Sequence, residues 1–443
     1  MCETKMLKRI ALLIFSCFVF LVLPMRSGAV VTIDVTGGVE SGIPIAVVPF
    51  EWLGNGMPPE DFRNIIASNL DRSGRFDVLP VEDYLSRPSN AEQVRYKDWR
   101  LIKAEALVVG NIRPLKNNRF EVKAFLFDVF SEKRLTGIRR VFDLKTFRKN
   151  AHVISDKIFY ELLGKEGAFD SRIAYVTVEQ IASKGTIHRL MVADSDGHNP
   201  QELVESSDPI LSPSWHPKGR YLAYVSFENA KKDLTTKIFL HDIFSGKREK
   251  LYEAEGTNQA PAWSPDGKKI AISLSIDGNS EIVVIDLKSR RLQRITNNIA
   301  IDTSPAWAPN SRSLVFTSDR SGRPQIYRVP AAGGKAVRIT FDGRENLRPS
   351  YSPDGKNLLM VTKARNGHQI GVFSMFDKNL RILTSGPFDE SPTFAPNGSM
   401  VLYATKRGGR QVMEIISVYG GAREVLRFPG GSMQSPAWSP LNQ

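Results

Sequence analysis

Cysteine is nearly absent from this chain. It has two, Cys2 and Cys17, and both fall in the first 29 residues. With that segment removed, the remaining chain has neither a disulfide nor a thiol. A packed core must then hold it, and about 410 residues are ample for one. Catalytic signatures are missing as well: there is no Gly-x-Ser-x-Gly elbow, no His-Glu-x-x-His pair and no phosphate-binding Gly-rich loop. The six histidines, at 152, 188, 198, 216, 241 and 368, are scattered among different elements. Arg-rich blocks and RNA-binding aromatic motifs are also lacking. The formal charge of +13 therefore reads as a solvated surface, or as weak attraction to anionic polymers and acidic partners, rather than as a nucleic-acid site.

The longest apolar stretch, Ile10 to Leu23, is short for a membrane span of about 20 residues. It follows a basic segment ending at Arg9 and precedes the small residues Ser27, Gly28 and Ala29. This pattern is that of a secretory signal peptide cleaved after Ala29. An uncleaved anchor is the competing reading.

One phrase recurs through the second half. Pro261-Ala-Trp263-Ser-Pro-Asp-Gly267 has relatives starting at Pro213, Pro305, Pro349, Pro392 and Pro436, at spacings of 48, 44, 44, 43 and 44 residues. Such a period indicates the blades of a β-propeller. Its aromatics, Trp215, Trp263, Trp307, Tyr351, Phe394 and Trp438, are expected to fill space between adjacent sheets. The Pro-Asp-Gly that follows suits a tight turn. Arg172–Val178 is a second blade strand without a first, and Pro436–Pro440 is a first strand with no blade after it. Joined, they close a ring of six blades over residues 171–443, about 45 residues each, with no open sheet edge between first and last blade.

Residues 30–166 read as a small α/β domain. Ile45–Val48, Phe76–Leu79 and Ala106–Val109 are strand-like, the last stopped at Gly110. Phe120–Phe130 and Arg134–Leu144 suit a hairpin. Pro59–Leu70 and Thr146–Leu163 have helical spacing, and Gly164 stops the second. At the front, Val30, Val31, Thr32, Ile33, Asp34 and Val35 form either an edge strand or a flexible arm. The fold class is thus α+β and multidomain: a small N-terminal α/β domain, then an all-β six-bladed propeller closed by the C-terminal strand.

The blade phrase resembles that of TolB-type propellers, and of propellers attached to peptidases. The stretch Arg148–Gly164 followed by Gly167-Ala-Phe169 and Arg172–Val176 is more specific, and similar to the helix-to-propeller junction of the TolB family. Gly42–Phe50 is also similar to that family. The resemblance implies a noncatalytic periplasmic protein of the Tol–Pal system, without cofactor, that helps the outer membrane constrict in cell division and keeps it intact. It implies the lipoprotein Pal as partner of the propeller and TolA as partner of the N-terminal arm. Contacts with other outer-membrane proteins, a monomeric state and attachment to membranes only through partners complete the expectation.

Loops entering each innermost strand gather at one mouth of a propeller channel. On that geometry the candidate Pal contacts are Thr257, Asn258, Asp302, Thr303, Asn346, Arg348, Asp389 and Glu390. The arm Val30–Val35 alternates in a way that suits strand addition to another sheet, and so is the TolA candidate. Asp194-Ser-Asp196-Gly197 resembles the start of a calcium loop, but its Gly comes at the fourth position instead of the sixth, so a turn is expected and no metal. His152 is expected to pack or cap. Two rival readings stand: an exported propeller enzyme using Asp389, Glu390 and His368, and a glycan-binding module acting on peptidoglycan.

Overall fold

The computed structural model describes residues 42–228, 235–256, 258–426 and 431–441. The expected signal peptide, the arm Val30–Val35 and Thr257 lie outside the described residues. Among these residues no helix is long and apolar enough to cross a membrane.

The N-terminal part is a six-stranded mixed sheet. Strands β1 (Ile43–Val47), β2 (Glu51–Trp52), β3 (Phe76–Val78), β4 (Ala106–Leu115), β5 (Arg119–Asp128) and β6 (Lys133–Asp143) pair in the order β3-β1-β4-β5-β6, with β2 also on β4. Strands β1, β2 and β3 are joined by parallel pairing, whereas β4, β5 and β6 form an antiparallel meander. Helix α1 (Phe62–Arg72) begins where the Asp61 carboxylate accepts the Asn64 backbone N–H at 3.1 Å. A short helix α2 (Tyr96–Leu101) carries the buried Trp99 onto one sheet face. Helix α3 (Phe147–Leu163) ends at Gly164, which takes φ 66° and closes the last turn as a left-handed cap.

Strand β4 corrects one expectation. It does not stop at Gly110 but continues to Leu115. A Cβ at Gly110 would lie 2.3 Å from the Phe50 ring and 2.5 Å from the Lys123 carbonyl oxygen. The glycine permits close approach inside the sheet rather than ending a strand.

Beyond the segment 165–171 come six four-stranded antiparallel sheets. Strands β7 (Arg172–Ile181), β8 (Gly185–Asp194) and β9 (Gln201–Ser206) form blade 1, and the C-terminal strand Ser432–Trp438 pairs with β7 as its innermost member. The ring is closed as the truncated last phrase implies. Innermost strands of blades 2 to 6 are Ile210–Trp215, Asn258–Trp263, Asp302–Trp307, Asn346–Tyr351 and Glu390–Phe394.

The α/β part and the propeller share a core. One apolar cluster runs from Phe62, Ile66 and Leu70 of α1 through Ile154 and Ile158 of α3 to Tyr175, Met400, Leu402 and Trp438 of blades 1 and 6. The connecting segment is packed: Ala168 and Phe169 are fully buried. The Asp156 carboxylate of α3 accepts the backbone N–H groups of Phe169 at 2.8 Å and Asp170 at 2.9 Å. A side chain at Gly167 would collide with Asp156.

Candidate functional site: the channel rim

Each innermost strand bulges at the same place. Leu211 pairs with Val225, but the next pair is Ser214 with Ala223, so the inner strand holds one extra residue. The other five blades repeat this shift. At each bulge the residue before the phrase proline takes positive φ: Ser212 51°, Ala260 51°, Ser304 53°, Arg348 51°, Ser391 51° and Ser435 52°. The proline that follows has no N–H to leave unpaired in the disrupted ladder. In two blades the bulge N–H crosses to the preceding blade, from Ser304 to Ser273 Oγ and from Arg348 to Thr317 Oγ1, both 3.0 Å.

The blade aromatics fill space, and the indoles also bond. The Nε1–H of Trp215 donates to the Ala437 carbonyl, that of Trp263 to Ser214 and that of Trp307 to Ala262, at 3.1, 3.1 and 3.0 Å. Each reaches the innermost strand of the previous blade. Trp438 donates instead to Ser171 Oγ at 2.8 Å. Tyr351 and Phe394 occupy equivalent positions without an indole donor.

The six innermost strands enclose a channel of about 760 Å³. Serines, prolines and the blade aromatics line it, and among the described residues Arg348 is the only charged one in the lining. Its Nη1 donates to Ser391 Oγ of the next blade at 2.6 Å.

The candidate rim residues separate by depth. Asp302, Asn346 and Asp389 are buried and fasten the loops from beneath. Arg320 Nη2 donates to Asp302 at 2.6 Å. Burial raises the Asp302 carboxyl above its ordinary range, against hydrogen bonds from Ser318 and Arg320. Asn346 Nδ2 donates to Gln325 Oε1 and to the Asp342 carbonyl. Asp389 accepts Thr405 Oγ1–H at 2.6 Å and the Gly386 N–H at 3.2 Å. Thr303 and Glu390 are half-buried and Arg348 is exposed. Glu390 accepts from Gln411 Nε2 at 2.9 Å. Asn258 opens the innermost strand of blade 3 opposite Leu274. His368 meets Asp389 through the main chain, the Asp389 N–H donating to its carbonyl at 3.0 Å.

Sequence reasoning missed the apolar side chains of these loops. Ile299 is 99% exposed, Ile301 53%, Phe341 70% and Phe388 54%. They belong to the loops entering blades 4, 5 and 6. Lys406 lies over the Phe388 ring at 4.5 Å and Arg338 over the Phe341 ring at 4.8 Å. Their signal was a large apolar residue isolated in an otherwise polar loop.

A second polar cluster lies where α1 and α3 meet blade 1. His152, Asp194 and Asp196 bring ligand-type atoms within 4.8 Å of one another. However, Arg148 already fills the place of a cation: its Nε and Nη2 both donate to Asp196 Oδ2, at 2.9 and 2.7 Å. The other Nη of Arg148 reaches Glu60 at 2.7 Å. His152 Nδ1 lies 2.9 Å from Asn69 Nδ2. Burial acts to raise the Asp196 carboxyl, but bonds from His152 and His198 and the charge of Arg72 outweigh it and hold the carboxyl well below its usual range. The donor set is that of an ion-paired clasp between helix and blade.

Known proteins share this architecture. Residues 31–135 match the TolB amino-terminal domain and residues 159–442 the TolB beta propeller domain. A Tol-Pal system protein TolB from Thioalkalivibrio sulfidiphilus is 42% identical over 439 residues, 99% of this chain and 98% of that protein. The one from Nitrosococcus oceani is 45% identical over 232 residues, and that alignment spans about half of each protein, 52% of both. The crystal structure of TolB from Acinetobacter baumannii superposes with a TM-score of 0.82 at 36% identity, covering 90% of this chain and 97% of that one. With both domain matches in order along one chain, the protein belongs to the TolB family.

Proposed function

We propose that this protein is a noncatalytic periplasmic adaptor of the Tol–Pal system. In this reading residues 1–29 direct export and are removed, 30–166 form the domain that carries the arm, and 171–443 form the propeller. The rim binds Pal, and the arm Val30–Val35 binds TolA by adding a strand. Other outer-membrane proteins join through these partners, and the assembly keeps the outer membrane attached as it constricts in division.

The observation that carries the reading is the arc of exposed apolar residues, Ile299, Ile301, Phe341 and Phe388, on loops pinned from below by buried polar side chains. Exposed apolar groups on a rigid support, bordered by cations, are what a protein partner buries. Thr303, Arg348 and Glu390 supply the polar border, and Thr257 and Asn258 are further candidates on the sequence alone. The Asp389 and Glu390 carboxylates are engaged separately, by Thr405 and by Gln411, which favours the adaptor over an exported enzyme.

A pull-down from envelope extract tests this reading, with the intact rim and with Phe341→Ala and Phe388→Ala together. Retention of Pal by the intact rim and its loss from the variant is the expected result. Retention of glycan without any lipoprotein would instead establish the glycan-binding reading.

A further inference from the structure

Three of the phrase turns rest on the second proline of the blade before. A Cβ at Gly219 would meet Pro440 Cγ at 3.7 Å, one at Gly355 would meet Pro309 Cγ at 3.4 Å, and one at Gly398 would meet Pro353 Cδ at 3.4 Å. Gly267 of blade 3 breaks the series. Its neighbour is not Pro217 but His216, whose Nε2 lies 2.6 Å from the place of a Cβ. The five equivalent positions hold Ser264, Ala308, Ser352, Ala395 and Ser439. The one large side chain among them therefore reaches into the gap between blades 2 and 3.

Its neighbours fix the imidazole. Nδ1 accepts the Lys218 N–H at 3.0 Å, so the neutral ring carries its proton on Nε2. The ring stands edge-on to Trp263 at 4.6 Å and to Tyr221 at 5.9 Å. Burial, then the charge of Lys218, lower its proton affinity, against a bond with the Gly267 backbone.

Beside this prop the two blades stand apart around a cleft of about 290 Å³. Trp263 lines it and is half-buried, whereas Trp215, Trp307 and Trp438 are 6–7% exposed. The outer end of the cleft is polar. There Arg290 of blade 3 donates to Glu249 of blade 2 at 2.6 Å. Asp242 accepts from Arg220 at 2.6 Å and from the Phe244 and Ser245 N–H groups. Both carboxylates of the lining are thus paired with arginine. Lys247 also lines the cleft, and it has no ion-pair partner among the described residues.

Aromatic faces at one end and hydrogen-bonding groups at the other suit a pyranose, which has an apolar C–H face and a hydroxyl-bearing edge. A free ammonium adds a preference for negative charge. The volume suits one sugar ring rather than a chain. We propose that the cleft between blades 2 and 3 binds a single pyranose unit bearing a carboxylate, its ring against Trp263 and Tyr221 and its carboxylate on Lys247. The site is separate from the rim and does not depend on what binds there.

NMR of the full mature protein tests this. The indole N–H signal of Trp263, assigned by its absence from Trp263→Phe, is followed during titration with D-glucuronate, D-glucose and acetate. Glucuronate should bind at least about fivefold more tightly than glucose, and acetate should leave the signal in place. Lys247→Gln, on an exposed side chain, should bring glucuronate down to the level of glucose. His216→Ser installs the residue found at 264, 352 and 439. It should melt like the parent and lose the response to both sugars. The methyl glycoside of glucuronate stands for a unit within a glycan. Binding as tight as that of the free sugar identifies the ligand as part of a polymer, and binding of the free sugar alone identifies a small metabolite. The proposal is overturned if neither sugar acts at millimolar concentration, if acetate acts like glucuronate, if glucose binds as tightly as glucuronate, or if His216→Ser responds like the parent.

Discussion

Trp438 and Ser171 meet across nearly the whole propeller sequence: the indole N–H donates to the serine hydroxyl at 2.8 Å. The same tryptophan is buried against the core shared by the two domains. Beside it, the Arg172 N–H donates to Ser439 Oγ and the Ser439 N–H to the Arg172 carbonyl, at 2.9 and 2.8 Å. Ring closure and domain docking therefore depend on one strand. Trp438→Phe keeps the bulk and loses the hydrogen bond, and should cost about 0.5–1.5 kcal/mol. Trp438→Ala should cost about 3–5 kcal/mol through the cavity it leaves. Urea denaturation of both variants measures the difference, and equal costs would mean that the bulk of the indole adds nothing beyond its hydrogen bond to Ser171.

Gly110 gives a steric prediction. Gly110→Ala drives a methyl group into the Phe50 ring and the Lys123 backbone, and the backbone of a central strand has little room to yield. Overpacking of this kind costs about 1–3 kcal/mol. Gly137→Ala on the edge strand meets only the Phe125 ring at 3.3 Å and should cost less than about 1 kcal/mol. Melting temperatures of the pair check the contrast.

The clasp at Asp196 should be strongly coupled. Arg148→Ala leaves a buried carboxylate without its guanidinium, and should destabilise by about 3–5 kcal/mol. Pairing it with Asp196→Ala removes the stranded charge, so the double variant should be less destabilised than the sum of the singles. A double-mutant cycle measures the coupling, and simple additivity would show that the contact carries no energy.

The contribution of His241 to stability should fall in mild acid. His241 is buried with neither ring nitrogen hydrogen-bonded. Burial, then the charge of Arg248, lower its proton affinity in the fold from the usual 6.5, against Asp242. The unfolded chain then binds the proton more tightly, so this contribution is present above pH 6.5 and is lost as pH falls through the folded value. Asp156 acts in the opposite sense. Its carboxyl is pushed up to about 6, chiefly by burial and against two backbone N–H bonds. The fold holds that proton more tightly, so its contribution grows as pH falls through 6. Subtracting the curve of His241→Gln from that of the parent isolates the histidine. The parent should lose more stability than the variant between pH 7 and pH 5, and parallel curves would contradict the assignment.

The architecture was legible because it is written as period and punctuation. The recurring aromatic, proline and glycine mark every blade, and the truncated copy at Pro436 announces the closure by β7. Other features depend on neighbours distant in sequence. Asp302, Asn346 and Asp389 read as rim contacts because they fall where the chain enters an innermost strand, yet Arg320, Gln325 and Thr405 draw them into the interior. A second repeat was too short to notice: Thr296, Thr340 and Thr384 each accept the backbone N–H of Ile282, Ile326 or Ile370 and pin an outer strand to its neighbour. Ile299, Phe341 and Phe388 were passed over because single exposed apolar residues are common on any surface. Only the fold places these three in neighbouring rim loops.

The central claim is that a protein partner buries the apolar arc of the rim. Calorimetric titration of the soluble domain of Pal into the parent and into the Phe341→Ala, Phe388→Ala double variant tests it most directly. The account predicts a defined complex with the parent and an affinity at least about tenfold lower for the variant, at unchanged melting temperature. Equal affinities for the two proteins would contradict it.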